Sequence, residues 1–237
     1  MASEKLIDEV EDNIFIIYGL KPSSHVYLIK GFNKNVLIDT GTKGNFSRVV
    51  EALASVGLKI TEINLVICTH EHYDHIGGIS FFYNYSILAA DRFAATKIEL
   101  QDEYVIHAVY HGEEVEKTKI TIWLEDMVMF DFGNYKLKVM HTPGHTSGSI
   151  CLYEPYKYFL FSGDTVFASG VISKISDSGS YGDYINSLER LSTYRIEKIF
   201  PGHGKICLDT KETILEAISK AKEMLVNGVE NLKRGKK

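Results

Sequence analysis

Residues 70–75 read His-Glu-His-Tyr-Asp-His, which places four candidate metal ligands within six positions. In extended backbone alternate side chains point the same way, so His70 and His72 can face one ion. Four groups this close cannot all reach a single metal. The segment suits two adjacent cations, one held by the histidine pair and one by Asp74 and His75. Gly77-Gly78 then lets the chain turn sharply into a helix. A surface loop that is merely rich in histidine is the plain alternative, and three further segments weigh against it. Thr142-Pro143-Gly144-His145-Thr146 follows a hydrophobic run ending near His141, Phe161-Ser162-Gly163-Asp164 puts a carboxylate after another, and Pro201-Gly202-His203-Gly204 repeats the pattern. Glycine beside each ligand allows close backbone approach to a crowded centre.

Nitrogen and carboxylate oxygen favour Zn, Fe, Mn or Co, and no cysteine stands among these groups to ask for a softer metal. Two cations about 3.5–4 Å apart can share a water and bring its pKa toward neutrality, generating hydroxide to attack a carbonyl or phosphoryl centre. One metal then stabilises the oxyanion while the other steadies the leaving group. Such a site needs no serine or cysteine nucleophile.

Strands must deliver these ligands. Asn13–Leu20, Ser24–Lys30 and Asn35–Asp39 are rich in Ile, Val, Phe and Tyr and are broken by turn residues, which predicts antiparallel strands. Asn45–Val56 is a helix with Gly57 as its C-cap, and Ile63–Cys68 is a short buried strand leading straight into His70. A helix after Gly78, a strand near Ser86–Ala90 and a polar helical stretch from about Asp91 to Glu116 complete the first half. His107 and His111 would share one face of that stretch at i,i+4, a polar or interface face unless the helix covers the site. The second half repeats the theme with strands at Ile120–Leu124, Met127–Phe130, Tyr135–His141, Ser149–Tyr153 and Tyr158–Ser162. A helix at about Asp183–Ser192, the strand Lys198–Phe200 and an amphipathic helix Lys211–Leu232 close the chain. Two strand-rich halves, each followed by helices, predict two sheets face to face with helices outside, an α+β arrangement.

At 237 residues, with no low-complexity tract or linker, the chain reads as a single domain spanning 1–237. Hydrophobic residues at 45% and charged residues at 24% suffice for a core without disulfides. A net charge of -5 gives no general attraction to nucleic acid, and the basic cluster Lys233, Arg234, Lys236 and Lys237 reads as a solvated tail. Cys68, Cys151 and Cys207 are odd in number, far apart and set among apolar neighbours, which predicts free buried thiols in a reducing compartment. Met1–Asp12 is too acidic and polar for a secretory signal, and no apolar run is long enough to span a membrane, so a cytoplasmic protein acting on a small molecule is expected. Oligomeric state is left open.

Leu37-Ile38-Asp39-Thr40-Gly41, His70–Gly78, His141–Ser149, Ser162–Phe167 and Pro201–Gly204 occur in an order that resembles the metallo-β-lactamase superfamily over nearly the whole length. The resemblance implies a four-layer αββα sandwich with the site at one edge between two mixed sheets. It implies that His70, His72 and His145 hold a first metal, that Asp74, His75 and His203 hold a second, and that Asp164 bridges them. Two divalent ions per chain follow, zinc first, with iron or manganese as alternatives. Asp74 would also orient the nucleophile, and Asp39 would support the ligand loop through hydrogen bonds, although a turn former at a strand end reads equally well.

Departures sort the branches. β-Lactamases usually place Cys or Ser where Asp164 stands, and flavodiiron proteins carry Glu at the place of His72 together with a flavin domain. Nucleic-acid-cutting members usually carry extra domains or a basic arm. N-acyl homoserine lactonases commonly have Tyr three residues after the bridging Asp, where this chain has Phe167. Gly163–Gly170 looks most like the hydroxyacylglutathione hydrolases, or glyoxalase II. Those follow it with Cys-Gly-Arg; here Val171-Ile172-Ser173-Lys174 leaves Lys174 as a shifted cation. They also add a longer C-terminal helical domain, against 33 residues after Gly204 here, so a related ester or thioester is the expected substrate. Lactone hydrolysis is the alternative within hydrolases. A persulfide dioxygenase with one iron is the alternative outside them, because that branch shares the motifs. A non-catalytic binding module would have no reason to keep all seven ligands. His25, Tyr73, Phe167, Lys174 and Tyr181, with Tyr184, are the candidate substrate contacts, each with ordinary packing as its bland alternative; His141 reads as structural.

Overall fold

The computed structural model describes residues 5–234, with side chains as far as Asn227. Met1–Glu4 and Lys236–Lys237 lie outside these residues, and so do the side chains of Lys233 and Arg234, so the expected basic tail falls beyond what is described. Seven strands form the first sheet in sequential order: β1 Ile7–Glu11, β2 Ile14–Ile17, β3 Val26–Lys30, β4 Asn35–Ile38, β5 Ile63–Cys68, β6 Ile87–Asp91 and β7 Ile122–Leu124. Neighbours from β1 to β4 are antiparallel, and from β4 to β7 they are parallel. The second sheet has the order β12-β11-β10-β9-β8, from β8 Met129–Asp131, β9 Lys136–His141, β10 Ile150–Glu154, β11 Phe159–Gly163 and β12 Lys198–Pro201.

Side-chain alternation explains the layering. Along β3, Val26 and Leu28 point to the helices while Tyr27 and Ile29 point to the other sheet. On the helix side they meet Val49, Ala52 and Leu53 of α1 (Phe46–Ser55) and Ala94, Ala95 and Ile98 of α3 (Arg92–Leu100). Between the sheets, Phe159, Phe161 and Phe200 pack with Tyr27 at ring separations of 5.1–5.8 Å. Such aromatic pairs add about 0.5–1.5 kcal/mol each beyond the area they bury. Behind the second sheet, Tyr184, Leu188 and Leu191 of α5 (Tyr181–Ser192) and Ile214, Ala217 and Ala221 of α6 (Thr210–Arg234) cover Met140, Cys151, Leu160 and Ile199. Three cores separate four layers, helix, sheet, sheet, helix. This is the expected αββα sandwich, an α+β fold.

Four local expectations change. Residues 7–11 form an edge strand although Asp8, Glu9 and Glu11 are acids: Ile7 and Val10 pack on the two cores, and Asp8 Oδ2 accepts from Tyr18 at 2.8 Å. The strand expected at 120–124 with the second half pairs instead with β6, Ala89 opposite Ile122, and completes the first sheet. The helix expected after Gly78 is a short 3-10 helix, Ile79–Phe82, and a one-turn α2 (Tyr73–Ile76) precedes it. The polar stretch 91–116 is broken. It starts well, with Asp91 capping α3 by accepting from Phe93 N at 2.8 Å. Gln101, His107 and Gly112 then take left-handed backbone at φ 55°, 66° and 71°, and each ends a helical run. Between them lie α4 (Glu103–Ile106) and a 3-10 turn at 108–111, so His107 and His111 do not share a helix face.

Candidate metal centre

Every candidate ligand sits just beyond the C-terminal end of a strand. β4 and β5 run parallel to each other, as do β11 and β12; β9 and β11 both run antiparallel to β10 and therefore share a direction. Asp39 leaves β4, the 70–75 segment leaves β5, and His145, Asp164 and His203 leave β9, β11 and β12. Cross-ties hold the two sheets' ends together: Ile150 N donates to Thr69 O at 2.8 Å, His25 N to Gly202 O at 2.7 Å, and Tyr27 Oη to Pro201 O at 2.7 Å. Gly202 is dictated by crowding, since a Cβ there would fall 2.5 Å from both Asp164 Oδ1 and His75 Cε1. Gly144, at φ 144°, lets α5 come close; a Cβ would lie 2.3 Å from Tyr184 Cα.

Four histidines are anchored through one ring nitrogen and present the other to a common space. His70 Nδ1 lies 3.1 Å from Thr69 Oγ1, which leaves Nε2 buried and without a partner. His72 is turned the opposite way: Nε2 meets Ser176 Oγ at 2.9 Å, and Nδ1 lies 2.9 Å from His145 Nε2. His145 Nδ1 is held by the Lys174 carbonyl at 2.6 Å and Ser173 Oγ at 2.7 Å. His75 Nδ1 meets Asp39 Oδ2 at 2.7 Å, and its buried, partnerless Nε2 lies 3.3 Å from Asp164 Oδ1. His203 Nε2 is 2.9 Å from Asp74 Oδ2. Asp164 Oδ2 stands 3.8 Å from His145 Nε2 and 3.8 Å from His203 Nε2. Three groups emerge, each with ligand atoms within 4.8 Å of one another: His70, His72 and His145; His70, His75 and Asp164; Asp74, His75 and His203. Asp39 accepts from Thr69 N at 2.7 Å and Thr69 Oγ1 at 2.8 Å while holding His75, so it joins the ends of β4 and β5 to that ring.

Burial, reinforced by neighbouring imidazoles, holds His70 and His72 well below the ordinary imidazole range. Burial lowers His145 too, against the pull of Asp164. These rings are neutral and carry lone pairs, the form that coordinates a metal. Burial opposes charge on His75, but Asp164, Asp39 and Asp74 outweigh it and raise that ring well above the ordinary range. For Asp164 burial alone would raise the carboxyl; His75 first, then His203 and His145, hold it well below the carboxylate range.

The candidate substrate contacts fall in different places. His25 is half-buried, its Nδ1 accepting from Gly19 N at 3.2 Å and its Nε2 lying 3.0 Å from the Gly204 carbonyl beside His203. Burial lowers it below the ordinary imidazole range. Tyr73 is 2% exposed and packs in the helix-side core with Ile76 and Ile79, so the structure puts it under the site. Phe167 and Tyr181 are half-buried, at the turn after Asp164 and at the start of α5. Lys174 has an exposed side chain and reaches the site only by its carbonyl, to His145. His141 Nε2 donates to the Ser147 carbonyl, 3.1 Å away, and the ring stacks on Phe93, apart from the cluster. His107, displaced from its expected helix face, stacks on His72 at 5.2 Å and pairs with Asp177 at 3.0 Å; His111 tilts against Tyr73. Sequence reading passed over Thr69, Ser173 and Ser176 as anchors, and Tyr184 as a brace: its hydroxyl donates to Thr165 O at 2.8 Å and accepts from Ser173 N at 3.0 Å.

Fold and cluster together define a two-sheet sandwich with a histidine–aspartate centre at its edge. Residues 21–203 match the metallo-beta-lactamase superfamily, and the chain belongs to that superfamily. It is similar to a probable metallo-hydrolase of Methanocaldococcus jannaschii, 36% identical over 200 residues covering 81% of this chain and 93% of that one. The acyl-coenzyme A thioesterase MBLAC2 of Bos taurus is 31% identical over 221 residues, with 81% and 78% covered. A hydroxyacylglutathione hydrolase of Pelagibacter ubique is 31% identical over 147 residues, with 61% and 53% covered, so the glyoxalase II branch is among the relatives beside the thioesterases. The crystal structure of a metallo-beta-lactamase family protein from Thermus thermophilus has the same fold, at TM-score 0.77 and 20% identity over 91% of this chain and 81% of that one.

Proposed function

We propose that the chain is a metal-dependent hydrolase of small thioesters or esters, working with two divalent cations, zinc first, at this centre. One observation carries the reading: His70 Nε2 is buried with no hydrogen-bond partner, beside His75 Nε2 and Asp164 Oδ1, which are buried 3.3 Å apart without an aligned hydrogen bond, and the three residues belong to one cluster. Buried polar atoms without aligned hydrogen bonds are costly unless a cation satisfies them, and nitrogen with carboxylate oxygen suits the zinc class. His70, His72 and His145 would hold one ion, Asp74, His75 and His203 the other, with Asp164 between them.

Bound cations supply Lewis acidity, acidifying water and polarising the scissile carbonyl. The chain's own residues do the rest. Thr69, Asp39, Ser173, Ser176 and the Lys174 carbonyl orient the rings. Asp74, hydrogen-bonded to His203, would orient the attacking water, and Asp164, 3.3 Å from His75 and 3.8 Å from His203, would tie the two groups together. His25, Phe167 and Tyr181 border the segments that carry the ligands and are the substrate contacts we propose. Thioesters lead the list because one relative is named an acyl-coenzyme A thioesterase and another a hydroxyacylglutathione hydrolase, each at 31% identity. Among the described residues no helix is long and apolar enough to cross a membrane, and three free buried cysteines fit a reducing compartment such as the cytoplasm.

The test is a panel of acyl-coenzyme A, glutathione thioester, lactone and phosphodiester substrates with zinc-loaded protein, beside oxygen uptake with persulfide and iron. Thioester turnover lost on chelation and restored by zinc is the expected result. Lactone turnover alone, or oxygen uptake with one iron per chain, would replace this reading with one of those.

A further inference from the structure

Between His70 and His72 stands a carboxylate that the two-cation reading does not use. Backbone alternation turns Glu71 away from the histidines, and it is fully buried. A buried carboxylate must be paired and hydrogen-bonded. Its partner is Lys97 of α3, Nζ to Oε1 at 2.6 Å. The remaining bonds are specific in what they join. Thr146, the residue after His145, donates Oγ1 to Glu71 Oε2 at 2.9 Å. Ser178 donates to Glu71 Oε1 at 3.3 Å and accepts from Ser147 N at 3.2 Å. Lys97 Nζ also reaches Ser147 Oγ at 2.5 Å. One carboxylate therefore ties together the segment bearing His70 and His72, the segment bearing His145, and the loop whose Ser173, Lys174 carbonyl and Ser176 hold those rings. Gly148 makes room for it, since a Cβ there would fall 2.7 Å from Glu71 Oε2 and 2.5 Å from Ala94 N of α3.

We infer that the buried Glu71–Lys97 pair is a positioning device for the first cation: it sets the spacing of His72 and His145, and so the affinity and geometry of the His70–His72–His145 group alone. The inference rests on the two-cation reading. Its selectivity comes from the bonds themselves, for His203 and Asp164 take no part in the network, whereas all three ligands of the first group are next to a residue in it.

The experiment measures stepwise Zn2+ affinities by chelator competition and the Co2+ absorption spectrum, in wild type, Lys97→Met, Lys97→Arg and the double variant Glu71→Gln/Lys97→Met. Lys97→Met is expected to weaken the His70–His72–His145 site, the tighter one because all three of its rings are anchored, about 10–100-fold and shift the Co2+ bands, with the weaker site unmoved. Lys97→Arg restores both signals. The double variant leaves no unpaired buried charge, so it reads the same effect, with a smaller loss, even if Lys97→Met fails to fold. Unchanged tight-site affinity and spectrum in the variants, whatever happens to the melting temperature, overturns the inference; so does an equal loss at both sites. Wild-type protein that binds no zinc would instead remove the two-cation reading beneath it.

Discussion

The two halves of the candidate centre are built differently. In the group of His70, His72 and His145 every ring has its outer nitrogen held, by Thr69, by Ser176, or by Ser173 with the Lys174 carbonyl, and His70 and His145 are at most 6% exposed. In the group of Asp74, His75 and His203 only His75 has such an anchor, Asp39. The His203 side chain is 33% exposed and that of Asp74 is 19% exposed. A ring fixed before the ion arrives loses little entropy on binding, while an exposed and less constrained ring loses more. On the two-cation reading the first group is accordingly expected to be the tighter, pre-formed half and the second the weaker, more solvent-accessible one. Asp164 connects them.

Removing that connection has the largest expected effect. Asp164→Ala abolishes turnover and lowers the affinity of both halves, while far-ultraviolet circular dichroism stays that of wild type; full activity in this variant would break the bridging role. Next come the ligand losses. His145→Ala removes the tighter ion and His203→Ala the weaker, so zinc titration falls from two ions to one in each, with opposite halves surviving. Equal residual affinities in the two variants would erase the distinction between halves. Chelation of the wild type then sharpens it in time: metal leaves in two phases, the faster one matching the ion that His203→Ala lacks. Anchor variants are smaller still. Ser176→Ala weakens the first half by about 10–100-fold and Asp39→Asn the second by a similar factor. Smallest of all, Tyr184→Phe breaks the brace between Thr165 and Ser173 and costs about 0.5–1.5 kcal/mol in chemical denaturation, with little change in zinc affinity.

The same contrast separates what the amino-acid order discloses from what it hides. The candidate ligands are legible because their types are rare and their spacing unusual: a dense His70–His75 segment, then single candidates each following a strand and a glycine. Hydrophobic alternation discloses the two sheets, since residues such as Val26 through Ile29 divide between two cores. The anchors are hidden. Ser173 and Ser176 are common residues far from the histidines in sequence, and Lys174 acts through a carbonyl that every residue possesses. Edge strand β1 is hidden by its acids, which an edge tolerates. The breaks at Gln101 and His107 are hidden because left-handed backbone at residues other than glycine has no strong compositional sign. Placement of β7 in the first sheet depends on pairing with β6 across more than thirty residues, beyond the reach of local patterning.

Anomalous diffraction at the zinc edge, from crystals grown with zinc, addresses the central claim most directly. Two peaks per chain are predicted, one among His70, His72 and His145, the other among Asp74, His75 and His203, with Asp164 touching both. A single peak, or peaks away from these side chains, would contradict it.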